Sequence, residues 1–134
     1  MRRIRVVAAV VRRGDLILVT RRVDRPGHRG QWEFPGGKVE RGEHEEQALV
    51  REIREELGCG ISVGRVLLRH AHRYPDLDVE LAFYACDLEE GVAPAALGVA
   101  EIAWARAGTL ATYDFLEADR VVLAEIERRS APAT

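Results

Sequence analysis

The chain predicts an α/β fold with a mixed sheet flanked by helices, and three observations predict it. Residues 4–11 are β-branched and apolar at both odd and even positions, as a strand buried on two faces must be. Further strand-like stretches follow at 16–20, 61–72, 79–86 and 101–105. Two helical patterns, 48–57 and 117–128, lie between and after them. Strands mixed with two amphipathic helices pack as layers, a sheet covered on both sides.

Taken in order, residues 13–15 (Arg-Gly-Asp) form the first turn, and 16–20 returns as a strand. Residues 23–31 carry Pro26, Gly27 and Gly30 among charges and form a loop. Residues 35–43 are glycine-rich and form a second loop. In the helix that follows, Leu49, Val50, Ile53 and Leu57 fall on one arc at 3.6 residues per turn. Gly58 supplies a C-terminal stop. His44 stands at the cap, and Gln47 three residues on suits a capping box. Residues 61–72 and 79–86 are antiparallel partners across a turn at 74–76. Residues 89–98 read as a mobile loop, and 130–134 as a disordered tail.

With 134 residues, 47% hydrophobic and 31% charged, the whole chain is expected to be one globular domain. A net charge of −2 gives no reason to expect a nucleic-acid polymer as partner. No apolar run reaches membrane-spanning length, and the basic start does not read as a signal peptide. Cys59 and Cys86 lack metal-site spacing and read as buried thiols of a reducing, cytoplasmic compartment. The chain is expected as a monomer or homodimer.

The informative stretch is Arg51-Glu52-Ile53-Arg54-Glu55-Glu56-Leu57-Gly58. Glu52, Glu55 and Glu56 share an arc roughly 100° wide, bordering the apolar stripe. Glu52 and Glu56 are like charges at i,i+4, and all three acids sit at the negative end of the helix dipole. A solvated surface helix would place Lys or Arg there, although the Arg51–Glu55 spacing suits an ordinary ion pair. Clustered oxygen donors are what a hard divalent cation takes.

Gly37, five residues, Glu43, seven residues and then this octapeptide resemble the Nudix box of hydrolases acting on nucleoside-diphosphate-linked compounds. Cys59 stands where an aliphatic residue is usual and serves as a small hydrophobe. Upstream, Gln31-Trp32-Glu33-Phe34-Pro35-Gly36-Gly37-Lys38 resembles the MutT-like branch. The resemblance implies a Nudix-type α/β/α sandwich over roughly residues 3–129. It also implies a Mg²⁺-dependent (alternatively Mn²⁺-dependent) nucleoside triphosphate pyrophosphohydrolase acting on a small nucleotide.

By the same resemblance the metal ligands are the Gly36 carbonyl, Glu52, Glu55 and Glu56. Arg51 orients the glutamates, with Glu43 and Glu52 as its partners. Glu52 is the first choice of base and Glu56 the second. Arg22 and Lys38 are expected at phosphate, and Phe34 against the base. Gly98 falls where some relatives carry a further acid, and Glu101, Glu89 and Glu90 do not occupy that place. Asp119 matches a base-reading position often filled by Asn in enzymes selecting 8-oxoguanine. Ionised, it only accepts hydrogen bonds and favours donors such as the cytosine amino group; protonated, it also donates, and oxidised guanine remains open. The leading substrate is of the 8-oxo-dGTP type, with CTP, dCTP or 5-methyl-dCTP as the alternative. A non-catalytic nucleotide sensor is the rival of another class.

Overall fold

A computed structural model describes residues 2–24, 26 and 29–130. Its elements in chain order are β1 (Arg2–Arg13), β2 (Leu16–Arg21), β3 (Trp32–Glu33), β4 (Gly36–Lys38), α1 (Glu45–Leu57), β5 (Ile61–Tyr74), β6 (Leu77–Leu88) and β7 (Glu101–Arg106). Two 3-10 helices, Ala107–Thr112 and Glu117–Val122, lead into α2 (Leu123–Ser130). The sheet runs β3-β2-β1-β6-β5, with β4 also paired to β1 and β7 to β2. β1 and β6 are parallel from Arg2↔Leu77 to Val11↔Cys86, and the remaining named pairs are antiparallel.

The two-sided apolar pattern of β1 has a direct structural counterpart. Side chains alternate across a strand, so Val7, Ala9 and Val11 join Leu49, Ile53 and Leu57 beneath α1. Ala8 and Val10 face the other way, against Phe34, Phe83, Phe115, Val122 and Ile126. Each fully buried Leu or Ile of α1 contributes about 1.5–3 kcal/mol relative to exposure. That is why one helix of thirteen residues is held firmly to its face of the sheet. The α/β/α sandwich with a mixed sheet is therefore the fold.

Several boundaries differ from those expected. The glycine-rich stretch 35–43 is not all loop. Gly36–Lys38 is a strand, because Gly36 lets it lie against β1: a Cβ there would fall on the Val7 carbonyl oxygen. Trp32–Glu33 pairs with β2 at the end of what reads as a loop. The final helix is not continuous over 117–128. It starts as a 3-10 turn, with Asp119 N–H on the Leu116 carbonyl at 3.0 Å. Three residues per turn put Asp119 and Val122 on the same inward side. Ser130 belongs to α2 rather than to a tail, and 131–134 lie outside the described residues. No helix of the described residues is long and apolar enough to cross a membrane.

Candidate functional site

α1 starts at His44, whose N–H donates to Gln47 Oε1 at 2.9 Å, and ends at Gly58 in the left-handed region (φ 66). Its last carbonyls are not left to solvent. Ala95 N–H donates to the Leu57 oxygen at 2.9 Å, and Leu97 and Gly98 N–H both donate to the Glu56 oxygen at 3.0 Å. The stretch expected to be a mobile loop is thus tied to α1 by three backbone hydrogen bonds. These donors also offset the negative helix end where the acids crowd.

Arg51 organises those acids. Its Nε and Nη2 hold both Glu43 oxygens at 2.8 Å, Nη1 holds Glu52 Oε1 at 2.9 Å, and Nη2 also donates to the Lys38 carbonyl at 3.0 Å. A longer contact of 3.4 Å reaches Glu55 Oε2. A rigid guanidinium fork can serve this many acceptors at once; an ammonium cannot. Hydrogen bonds from Arg51 and from the Glu40 N–H hold the Glu43 carboxyl down to about 2. The two partners implied for Arg51 are therefore both in contact with it.

Gly37 sits where a Cβ would intrude on the Glu52 carboxylate, so its hydrogen side chain makes the room that Glu52 occupies. Glu56 receives the Gly36 N–H, yet its carboxyl is pushed up to about 8, first by burial and then by Glu33 and Glu52 beside it. Glu52 and Glu56 are half-buried, whereas Glu55 is exposed. Glu55 lies on the far side of the carboxylate arc from the apolar stripe, which explains the difference. Among the described residues no three His, Cys, Asp or Glu side chains already stand at metal-ligand spacing. The donor set still fits a hard cation, being all oxygen and carrying negative charge that Arg51 alone does not balance. Gly98 abuts Glu56, a Cβ there standing 3.4 Å from Glu56 Cα, so a side chain at this position would reach the cluster. Glu101 is engaged with Arg21 at 2.7 Å instead.

Across from this cluster lies a second group. Arg22 Nε pairs with Glu33 Oε2 at 3.0 Å. Burial raises the Glu33 carboxyl, and Arg22 opposes the rise. Gly30 permits the return of the chain to Arg22, since a Cβ there would stand 2.6 Å from the Arg22 oxygen; Arg22 N–H then donates to the Gln31 carbonyl at 2.9 Å. Asp119 is 5% exposed, and its Oδ2 accepts the Phe34 N–H at 2.9 Å. Burial, followed by the nearby Glu33 charge, pushes the Asp119 carboxyl up to about 7. Tyr74 is close enough to Glu117, Asp119 and Arg22 to feel their charges, and its ring stands 4.6 Å from that of His72. His72 Nε2 lies 3.8 Å from Glu117 Oε2.

Phe34 and Lys38 stand differently. The Phe34 ring is 2% exposed, stacked on Phe115 at 5.1 Å and edge-on to Phe83 at 6.2 Å. It belongs to the core, and its link to the site is the backbone N–H on Asp119. Lys38 is exposed and borders a surface cavity with Arg41 and Glu43. Sequence reasoning missed Glu33, His72, Tyr74 and Glu117. Glu33 had a signal, an acid between Trp32 and Phe34; the other three are brought in only by folding.

A family profile described as NUDIX domain matches residues 1–126. A CTP pyrophosphohydrolase of Escherichia coli is 49% identical over 70 residues, 52% of this chain and 52% of that protein. The alignment thus spans about half the length of that relative. An 8-oxo-dGTP diphosphatase of Escherichia coli is 33% identical over 92 residues, 68% of this chain and 71% of that protein. The solution structure of the E. coli ORF135 protein superposes with a TM-score of 0.86 at 32% identity, covering 100% of this chain and 96% of that one. A match over nearly the whole chain, on a fold that agrees, places the chain in the Nudix hydrolase family.

Proposed function

We propose that the chain is a Mg²⁺-dependent nucleoside triphosphate pyrophosphohydrolase acting on the cytoplasmic nucleotide pool, with Mn²⁺ as an alternative metal. One observation carries this reading. A carboxylate cluster suited to a metal–diphosphate and a buried carboxyl suited to a base edge flank the same Arg22–Glu33 pair. A small nucleotide can engage both ends at once.

The Gly36 carbonyl and the carboxylates of Glu52, Glu55 and Glu56 would hold the cation, which neutralises phosphate oxygens and lowers the pKa of a bound water. Arg51 keeps Glu43 and Glu52 in place. Glu52, and second Glu56, accepts the proton of the attacking water. Attack at the β-phosphorus breaks its bond to the oxygen bridging to the α-phosphorus. The bridging oxygen leaves with the nucleoside monophosphate, and the water oxygen enters pyrophosphate. Arg22, released from Glu33, offsets the phosphate charge.

For the base, the first reading is an 8-oxo-dGTP-type substrate. An Asp119 carboxyl that is protonated in part of the population near neutral pH offers a donor and an acceptor together, as Asn does. The name of one E. coli relative supports this choice. The second reading, CTP or a deoxy or 5-methyl form of it, is favoured by the carboxylate form of Asp119 and by the name of the other relative. A substrate panel decides between them: a tenfold preference for CTP over 8-oxo-dGTP in kcat/KM, about 1.4 kcal/mol, reverses the order. No Mg²⁺-stimulated pyrophosphate release from any common nucleotide would favour a nucleotide-sensing module instead.

A further inference from the structure

Two segments run side by side on the base side of the site, 29–34 and 113–119. Arg29 grips Asp114 at two points, Nε to Oδ2 at 2.6 Å and Nη2 to Oδ1 at 3.2 Å. Gln31 Nε2 reaches Asp114 Oδ1 at 3.4 Å and the Phe115 carbonyl at 3.3 Å. Trp32 N–H donates to the Asp114 carbonyl at 2.9 Å, and Leu116 N–H donates to the Trp32 carbonyl at 3.0 Å. Trp32 and Phe115 bridge in parallel, and the Trp32 ring meets Tyr113 edge-on at 5.1 Å. This zipper ends at the contact that matters for the base, Phe34 N–H on Asp119 Oδ2 at 2.9 Å.

We infer that Asp114 is a positioning residue for base selection. Its two-point grip on Arg29, with Gln31 as a third contact, adds to the backbone hydrogen bonds that set the register of 29–34 against 113–119. That register sets where the Asp119 carboxyl stands relative to Phe34, and also relative to Glu33 and Arg22 on the same segment. An exposed ion pair contributes little to global stability. Its effect is geometric, because a planar fork on a carboxylate restricts sliding between segments. The inference rests on the reading of Asp119 as a base contact, and its test separates the two.

The full chain is compared with Asp114→Ala, Arg29→Ala, the double variant and Asp114→Glu. The first readout is the Phe34 amide resonance followed through neutral pH, which reports the ionisation of the carboxyl it touches and needs no activity. The second is the ratio of kcat/KM between the best and the poorest of a panel of nucleoside triphosphates. Asp114→Ala should flatten the Phe34 titration and lower the ratio about threefold to tenfold, mostly through KM, as expected for a displaced specificity contact. Arg29→Ala should show most of the same effect, less the share of the Gln31 contact that only Asp114→Ala removes, and the double variant should add nothing to Asp114→Ala. Asp114→Glu, which keeps the carboxylate, should restore part of both. A folded Asp114→Ala with the wild-type Phe34 titration overturns the inference, even if KM rises equally for every nucleotide. A flattened titration with an unchanged ratio upholds the positioning of Asp119 and overturns its reading as a base contact.

Discussion

At the diphosphate end, one continuous stretch from Gly36 to Gly58 supplies every proposed metal ligand; at the base end, Glu33, Tyr74 and Asp119 arrive from separate elements, with Arg22 standing between the two. The first region is held by Arg51, which bonds Glu43, Glu52 and the Lys38 carbonyl at 2.8–3.0 Å. The second is held by the Phe34 N–H on Asp119, by the Arg22–Glu33 pair and by the zipper beside them. The difference teaches that a charge cluster can be encoded locally, because a helix spaces its own acids. A base pocket requires chain segments far apart in sequence to meet. Substitutions at the first end should therefore abolish chemistry, and those at the second should change preference.

The largest effect is expected from Glu56→Gln, which removes a half-buried carboxylate while keeping its shape. Turnover of nucleoside triphosphate should fall at least about 10²-fold, the scale for losing an electrostatic catalytic group. Thermal unfolding should show the fold intact. Near-wild-type turnover in a folded variant would break the contrast at its strong end.

Arg51→Ala comes next. It leaves Glu43 and Glu52 without their cation, and urea unfolding should show a lower midpoint than wild type. Arg51→Lys should recover little, because one ammonium cannot reproduce the fork. Full recovery by Lys would show that charge alone, rather than geometry, holds the cluster.

At the other end, Asp119→Asn should shift the preference between oxidised guanine and cytosine nucleotides by about tenfold, equivalent to about 1.4 kcal/mol, with turnover of the preferred substrate changed less. The substitution also removes a pH dependence. Burial raises the Asp119 carboxyl from 3.8 unfolded to about 7 folded. The folded protein therefore binds the extra proton between these values, and this contribution to stability, full at low pH, is lost as pH rises through about 7. Wild type should lose stability across that window relative to Asp119→Asn. Parallel stability curves for the two would contradict the burial of a titrating carboxyl.

Glu45 gives the opposite sign and marks where α1 is anchored away from the chemistry. Tyr84 OH at 2.6 Å, Arg69 at 2.8 Å and Arg5 at 3.1 Å converge on its carboxylate. Hydrogen bonding from Arg69, with Tyr84 and Arg5 adding to it, lowers the Glu45 carboxyl from 4.5 to about 2. Its stabilisation is present above 4.5 and fades as pH falls toward 2. Glu45→Gln should lower stability at neutral pH and narrow the gap to wild type in acid. The smallest effect is expected from Gly98→Glu, which adds a carboxylate beside Glu56. It should lower the Mg²⁺ concentration for half-maximal activity a few-fold, as one more oxygen ligand would.

The layered fold was legible because β1 alternates between two cores and α1 carries an unbroken apolar stripe. The Arg51 cluster was legible because it repeats a local spacing. What was not legible depended on tertiary contacts. Gly36–Lys38 reads as loop until β1 lies beside it. The 3-10 start at Glu117 reflects the inward pull on Asp119, which periodicity does not record. Phe34, expected on the base, is core because Phe83 and Phe115 close over it from distant positions. The 89–98 stretch shows no ordering signal in composition, yet its N–H groups cap α1.

The proposed activity cuts a metal-bound nucleoside triphosphate between its α- and β-phosphates. The direct measurement is product identity by phosphorus NMR during Mg²⁺ titration, using wild type and Glu56→Gln. The expected result is nucleoside monophosphate and pyrophosphate in equal amounts, appearing only with the divalent cation and at least about 10²-fold more slowly in Glu56→Gln. Release of orthophosphate, or turnover that persists without divalent cation, would contradict it.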